Sequence, residues 1–114
     1  MKTLLLSLLF VIASCTMAAG QDVAESEFRV AGNCSQCKSR IEKAVTTVQG
    51  VKFARWNKST KMLKVALVTG TVTVDSLQRR IAAVGHDTDT YKATDEVYGS
   101  LPACCLYRNG APTH

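Results

Sequence analysis

The chain has 114 residues, a hydrophobic fraction of 46% and a formal net charge of +5 at pH 7. This length favours one small domain. The basic residues are scattered, without a dense cluster of basic and aromatic side chains, so the sequence does not indicate nucleic-acid binding.

Residues 1–20 have the pattern of a signal peptide. Lys2 precedes an apolar run at residues 4–13, roughly ten residues and too short to span a bilayer comfortably. Small residues at 18–20 suit cleavage by a signal peptidase. Alternatively, the Ile-Ala-Ser-Cys sequence ending at Cys15 resembles a bacterial lipobox, in which Cys15 would be lipidated. Both interpretations predict export, either to the periplasm or as a membrane-anchored lipoprotein, and the soluble product is slightly favoured.

The cysteine content is informative in an exported protein. Of five cysteines, Cys15 would be lost with the signal or carry lipid, which leaves Cys34, Cys37, Cys104 and Cys105. An oxidising compartment makes structural disulfides a serious alternative for these four. Pairing within Cys-x-x-Cys or within the vicinal pair would close only a tiny loop and stabilise the fold little. Cross-pairing between the two ends of the domain would stabilise it more.

The first half of the domain alternates between strand and helix patterns. Apolar residues alternate at 28–31, which predicts a strand. Ile41 and Val45 belong to an apolar face of a helix over 39–48, and Gly50 would end it. The pattern then predicts a hairpin of two strands at 51–57 and 63–67.

The second half supplies another helix and a last strand. Thr73 can cap the helix, Asp75 suits its first turn, and Gly85 would end it. Residues 88–93 are predicted to form the last strand. The result is an α+β, ferredoxin-like βαββαβ sandwich, with an antiparallel four-stranded sheet and two helices on one face. The domain is predicted at 26–93.

Residues 94–114 are predicted to be a tail containing the vicinal pair. A short helix could run from Thr94 through Leu101, where Pro102 would break it. The tail could fold back to the first cysteines, although nothing in its length requires this.

Cys34 and Cys37 are the leading candidates for metal ligands. They lie between the first strand and the first helix, where two thiols can converge on one ion and the helix dipole favours thiolates. Thiolates select soft ions such as Cu(I), Hg(II) or Zn(II). Two local ligands favour Cu(I) or Hg(II), because structural zinc sites usually have four.

Other residues are expected to support this site. Lys38, beside Arg40, would provide electrostatic support for a negatively charged bis-thiolate. His86 lies in a loop predicted to share one end of the sheet with the cysteine loop, so it either tunes the site or is an exposed loop residue. Cys104 and Cys105 are possible auxiliary ligands, which would make a four-thiolate zinc site reasonable. A tail disulfide and a partner-docking pair are the alternatives for these two.

Residues 26–93 resemble the heavy-metal-associated domain family, which includes small copper chaperones, mercury-binding periplasmic proteins and the N-terminal modules of metal-pumping ATPases. The residues that carry the resemblance are Gly32-Asn33-Cys34-Ser35-Gln36-Cys37, Ile41-Glu42, Gly50-Val51, Val65, Leu77, Ile81 and Gly85-His86. The resemblance implies that Cys34 and Cys37 hold Cu(I) in near-linear geometry and that His86 tunes the site. The family often has Met where this chain has Gly32, which bears on the rigidity of the loop.

The function indicated is binding of a soft metal, with a periplasmic Cu(I) chaperone or sequestering protein as the leading hypothesis. Such a protein would pass its ion by ligand exchange, from an exposed site of low coordination number, to a metal-transport or efflux protein. No set of residues indicates an enzyme. Hg(II) or Zn(II) binding and thiol-disulfide redox exchange are the alternatives, and the Ser-Gln dipeptide between Cys34 and Cys37 does not favour redox exchange.

Overall fold

Three antiparallel strands and two main helices form the body of the protein in the computed structural model, which describes residues 22–114. The predicted signal peptide, the lipobox and Cys15 lie outside the described residues. The strands are β1, Val23–Arg29, β2, Val51–Trp56, and β3, Met62–Val68. Their order in the sheet is β1-β3-β2, so β3 is central and pairs with both neighbours. The predicted hairpin of β2 and β3 is confirmed.

The two helices cover the sheet with apolar faces. α1, Ser35–Thr46, buries Ile41 and Val45, and α2, Val74–Ala83, buries Leu77 and Ile81. The side chain of Thr73 accepts a hydrogen bond from the backbone N–H of Ser76, which confirms its predicted role as N-cap. These helical residues meet the inward-facing strand residues in one core. Its fully buried strand members include Leu63 and Val65.

The predicted last strand at 88–93 is wrong. Within the described residues this region contributes only one isolated antiparallel bridge, between Val30 and Thr88. The chain turns instead, because the backbone N–H of Thr88 donates to the carbonyl of Tyr91 at 2.7 Å. The Asp87 carboxylate then accepts the N–H of Ala93 at 2.8 Å, which takes that donor away from any strand partner. The described sheet therefore has three strands.

Two boundaries also differ from the prediction. β1 begins at Val23 instead of residue 28, because its first residues pair with β3 although they are largely exposed and show no apolar alternation. α1 begins at Ser35 instead of residue 39, directly after the cap that Cys34 provides.

The tail folds back over the body. Thr94 caps a short helix, α3, Asp95–Gly99, as the sequence predicts, although the helix ends before Leu101. Two 3-10 turns follow, Ala103–Cys105 and Tyr107–Asn109. Among the described residues, none of the helices has both the length and the hydropathy for a membrane span.

Candidate metal centre

Cys34 and Cys37 converge at the start of α1. Cys34 is the N-cap, and its Sγ accepts a hydrogen bond from the backbone N–H of Cys37 at 3.4 Å. The two sulfur atoms are 3.1 Å apart, and both cysteines are free thiols. The capping geometry explains the convergence, because a cap residue must direct its side chain back toward the third residue beyond it.

The pKa values of the two thiols are shifted in opposite directions. Burial alone would raise the pKa of Cys34, but hydrogen bonds from the Cys37 side chain and backbone outweigh it and lower that pKa to about 7. Burial raises the pKa of Cys37 to about 12. Its thiol is placed to donate to Oδ1 of Asn33, 3.4 Å away. At neutral pH Cys34 is therefore about half ionised to the thiolate, whereas Cys37 remains a thiol.

The tail brings two further sulfur atoms to this pair. Sγ of Cys105 is 3.3 Å from Sγ of Cys34, although 71 positions separate the residues. Cys104 Sγ is 3.8 Å from Cys105 Sγ, and the sulfurs of Cys34, Cys104 and Cys105 all lie within 4.8 Å of one another. We call Cys34, Cys37, Cys104 and Cys105 the thiol cluster. All four are free cysteines.

The thiol cluster is largely closed to solvent, which corrects the expectation of an exposed site. Cys34 is 3% exposed, and Cys37 and Cys105 are fully buried. Cys104 is only partly buried, and its thiol is placed to donate to Oε1 of Gln36 at 3.3 Å. The closure comes from the tail, because Cys105 itself packs against the Cys34 sulfur.

Contacts remote from the sulfurs hold the tail in place. Leu101 packs against Gly85, where an added Cβ would stand 2.8 Å from a Leu101 methyl carbon. The Tyr107 hydroxyl donates to the carbonyl of Gly85 at 2.7 Å and accepts from the N–H of Asp87 at 2.9 Å. Arg108 forms an ion pair with Asp87. The loop after α2 thus serves as the docking site of the tail.

His86 is fully buried, so it is not the exposed loop residue that was one alternative. Burial, with a smaller contribution from nearby Arg40, lowers its pKa to about 4. The neutral ring lies with Nδ1 2.8 Å from the carbonyl of Ala31, to which it donates, and Nε2 3.5 Å from Nη1 of Arg40. It also stacks on Tyr107 with ring centroids 5.5 Å apart. His86 therefore joins the cysteine loop to the tail, and it approaches the sulfurs through Arg40.

Arg40 is the cation that contacts the thiol cluster. Its Nη1 is 3.3 Å from Sγ of Cys105. The Lys38 ammonium has other partners, Oε1 of Glu42 at 2.6 Å and the carbonyl of Trp56 at 2.8 Å. The electrostatic role expected of Lys38 stays a prediction, and its contacts favour a role in joining α1 to β2.

The ring of Trp56 explains why a glycine stands at position 32. The sequence did not reveal this role of Trp56. A Cβ at Gly32 would lie 3.0 Å from two ring carbons of Trp56 and 3.1 Å from Cβ of Cys37. The indole N–H donates to the carbonyl of Val30 at 3.0 Å, which fixes the ring beneath the loop. A bulky aromatic ring thus fills the space under the cysteine loop, and a small residue is required above it.

Sequence reasoning also missed Asn33 and the docking contacts of the tail. Asn33 is buried and accepts from the Cys37 thiol, a contact that its place in the motif before Cys34 did not predict. For the tail, a signal existed in its apolar and aromatic residues, since solvated tails seldom carry several of them. The apolar and aromatic residues of this tail that pack in or against the core are Tyr98, Leu101, Leu106 and Tyr107.

Comparison with known proteins adds relatives of stated function, although no protein-family model matches the chain. It is 31% identical over 78 residues to Copper-transporting ATPase 2 of Rhizobium meliloti, which covers 68% of this chain. It is 32% identical over 74 residues to the Copper-exporting P-type ATPase of Staphylococcus epidermidis, covering 62% of this chain. The chain spans only 9% of the length of either relative.

Several solved structures share the fold of this chain, with TM-scores above 0.5. The CopZ metallochaperone is 27% identical with a TM-score of 0.55, over 57% of this chain and 98% of that one. The N-terminal domain of a potential copper-translocating P-type ATPase from Bacillus subtilis, in its Cu(I)-loaded state, is 25% identical with a TM-score of 0.56, over 59% of this chain and 85% of that one. Oxidized MerP from Ralstonia metallidurans shares the fold, with a TM-score of 0.56.

Proposed function

Since the chain belongs to the heavy-metal-associated domain family, we propose that it binds Cu(I) through Cys34 and Cys37 and delivers the ion to a partner protein. The observation that carries the proposal is the pair of free sulfurs 3.1 Å apart at the first turn of α1. Two sulfur donors at this spacing need only a small separation to hold one soft ion between them.

The acidity of the pair suits metal uptake. A thiol must lose its proton before it binds metal. The pKa of Cys34, lowered to about 7, leaves roughly half of this thiol ionised at neutral pH. We infer that Cys34 captures the ion first and that Cys37, whose pKa burial raises to about 12, loses its proton to solvent as the second sulfur binds.

Copper is the preferred ion because two relatives, at 31% and 32% identity, are copper-transporting and copper-exporting ATPases, and one structural neighbour is a Cu(I)-loaded domain. Hg(II) and Zn(II) remain alternatives on donor chemistry, since thiolates accept all three ions. The protein would act in the periplasm, because residues 1–20 have the pattern of a signal peptide. The partner would be a metal-transport or efflux protein that docks transiently, and the basic surface would favour an acidic face on it.

A thiol-disulfide redox protein is the second candidate, and one observation favours it. Cys34 has the low pKa of an attacking thiol, and Cys37 lies beside it as a resolving thiol. An insulin-reduction assay separates the two functions. Turnover by the metal-free protein would support redox exchange, whereas a metal carrier should show none above its C34S variant.

The deciding experiment is anaerobic titration with Cu(I), Hg(II) and Zn(II) against a competing chelator. Wild type is compared with Cys34→Ser, and Ser35→Ala serves as the matched control because Ser35 is an exposed neighbour in the same turn. We expect Cys34→Ser to abolish competitive Cu(I) binding and Ser35→Ala to leave it unchanged. Unchanged Cu(I) affinity in Cys34→Ser would refute the site.

A further inference from the structure

We propose that Cys104 and Cys105 bind the same ion as Cys34, so that the tail converts a two-sulfur site into a closed site of at least three thiolates. This inference rests on the proposed function and deepens it. It assigns a metal-binding role to a segment outside the predicted domain of residues 26–93. It also identifies which sulfur a partner reaches first.

The spacing of the sulfurs fits a single ion. A thiolate binds an ion such as zinc at about 2.3 Å, so two sulfurs on one ion stand about 3.8 Å apart in a tetrahedron and about 4.6 Å apart on a line. Cys34, Cys104 and Cys105 have their sulfurs within 4.8 Å of one another. Cys37 is 3.1 Å from the Cys34 sulfur and can serve as a further ligand after a small adjustment.

The position of the tail does not depend on the sulfurs. Leu101 fills the space above Gly85, and Arg108 pairs with Asp87, on either side of the vicinal cysteines in sequence. Between these two anchors, the 3-10 turn Ala103–Cys105 is closed by the N–H of Cys105, which donates to the carbonyl of Pro102 at 2.8 Å. Two independent anchors therefore present both thiols to Cys34.

A cationic side chain, Arg40, lies beside the proposed site and can offset its negative charge. Three thiolates around Cu(I) carry a net charge of −2, which is costly in a buried position without a cation nearby. Arg40 meets this need, because its Nη1 lies 3.3 Å from the Cys105 sulfur.

Exposure indicates the order of ligand exchange. Cys104 is the one partly exposed member of the thiol cluster, and the other three are buried. A partner thiol would lose its proton and bind the ion beside Cys104. The Cys104 sulfur would then leave the ion and take up a proton. The oxidation state of the ion does not change, and the exchange repeats at the deeper sulfurs as the tail withdraws.

The test counts sulfur ligands by X-ray absorption on the full mature protein loaded anaerobically with one equivalent of Cu(I). We expect at least three sulfurs in wild type and two in the Cys104→Ser/Cys105→Ser double variant. Ala103→Ser, an exposed position in the same turn, is the matched control and should keep the wild-type count. The count must also persist on dilution, because a dimer sharing one ion would lose sulfurs when it dissociates.

Release of Cu(I) to a competing chelator gives a second readout. We expect the double variant to release the ion faster than wild type by about tenfold or more, the scale on which even outer-shell changes alter metal affinity. Each single serine variant should lose one sulfur, which keeps the test valid if the double variant folds poorly. Two sulfurs in wild type, or equal counts and rates in all variants, would overturn this inference and leave the Cys34 and Cys37 site standing. If every variant, including Cys34→Ser, kept competitive Cu(I) binding, the proposed function itself would be refuted.

Discussion

The guanidinium of Arg108 meets the carboxylate of Asp87 with two hydrogen bonds, Nη2 to Oδ1 at 2.7 Å and Nε to Oδ2 at 3.1 Å. This fork-to-fork geometry is the strongest form of a side-chain ion pair. Burial would raise the pKa of Asp87, but the Arg108 hydrogen bonds outweigh it and hold that pKa below its usual range. The pair therefore fastens the tail to the loop after α2 throughout the neutral pH range.

Breaking this pair should loosen the tail. We expect Arg108→Gln to lower the free energy of unfolding by about 2 kcal/mol, since it removes charged hydrogen bonds from a largely buried carboxylate. Denaturant unfolding measures the loss, and hydrogen exchange at the Cys105 amide should accelerate. Arg79→Gln is the control, because its pair with Asp75 is 67% and 57% exposed and should contribute less than about 1 kcal/mol. Equal losses in both variants would contradict a special role for Arg108.

Gly85 allows us to separate backbone strain from steric exclusion of the tail. Gly85 and Gly70 have similar positive φ angles, 109° and 82°, but a Cβ would contact Leu101 at 2.8 Å only at Gly85 and would meet nothing within 4 Å at Gly70. Alanine at Gly70 should cost about 1 kcal/mol of stability from strain alone. Alanine at Gly85 should cost more and also expose Cys105 to a thiol-labelling reagent. Equal stability losses with no change in labelling would show that Leu101 tolerates the methyl group.

His86 should make the metal-free protein sensitive to mild acid. Its pKa is about 4 in the folded state, below the ordinary value of 6.5, so the unfolded chain binds a proton more readily between these values. Stability should therefore fall as pH drops from about 6.5 to 4, by roughly 3 kcal/mol. His86→Gln should remove this component, and His114→Gln, at an exposed position, should preserve it. The same pH profile in wild type and His86→Gln would disprove the prediction.

Arg40 and Lys38 can be distinguished by matched substitutions. Arg40→Gln removes the guanidinium that contacts Cys105, so we expect Cu(I) affinity to fall about tenfold, which corresponds to a charged hydrogen bond of about 1.4 kcal/mol. Lys38→Gln breaks contacts to Glu42 and the Trp56 carbonyl, so it should reduce stability with little effect on affinity. The reverse pattern of affinities would restore Lys38 as the electrostatic support.

Local signals predicted much of the fold and the centre of the site. The apolar pattern around Leu63 and Val65 predicts a strand, Thr73 predicts a helix start, and the Cys-x-x-Cys spacing places two thiols at one turn. Each of these features depends on interactions within a few residues, so the sequence shows them directly. The fold as a sheet with two covering helices follows from their order.

Two features could not be predicted, because they depend on which partner a side chain finds in the folded protein. Residues 88–93 have a strand pattern, yet the Asp87 carboxylate takes the Ala93 N–H, and nothing local to the sequence reveals this competition. The approach of Cys105 to Cys34 likewise depends on Arg108 and Leu101 docking against the loop after α2. The sequence predicted that the tail could fold back to the first cysteines, but it did not indicate the contacts that hold the tail there.

The packing of Trp56 under the cysteine loop provides an intrinsic optical probe. It is the one tryptophan in the chain, and its ring and the Cys37 Cβ both lie within 3.1 Å of the position where a Gly32 side chain would begin. A heavy ion that binds the sulfurs would quench the indole emission, and no second tryptophan would contribute a competing signal. The unlabelled protein should thus report its own loading and unloading in a stopped-flow fluorimeter.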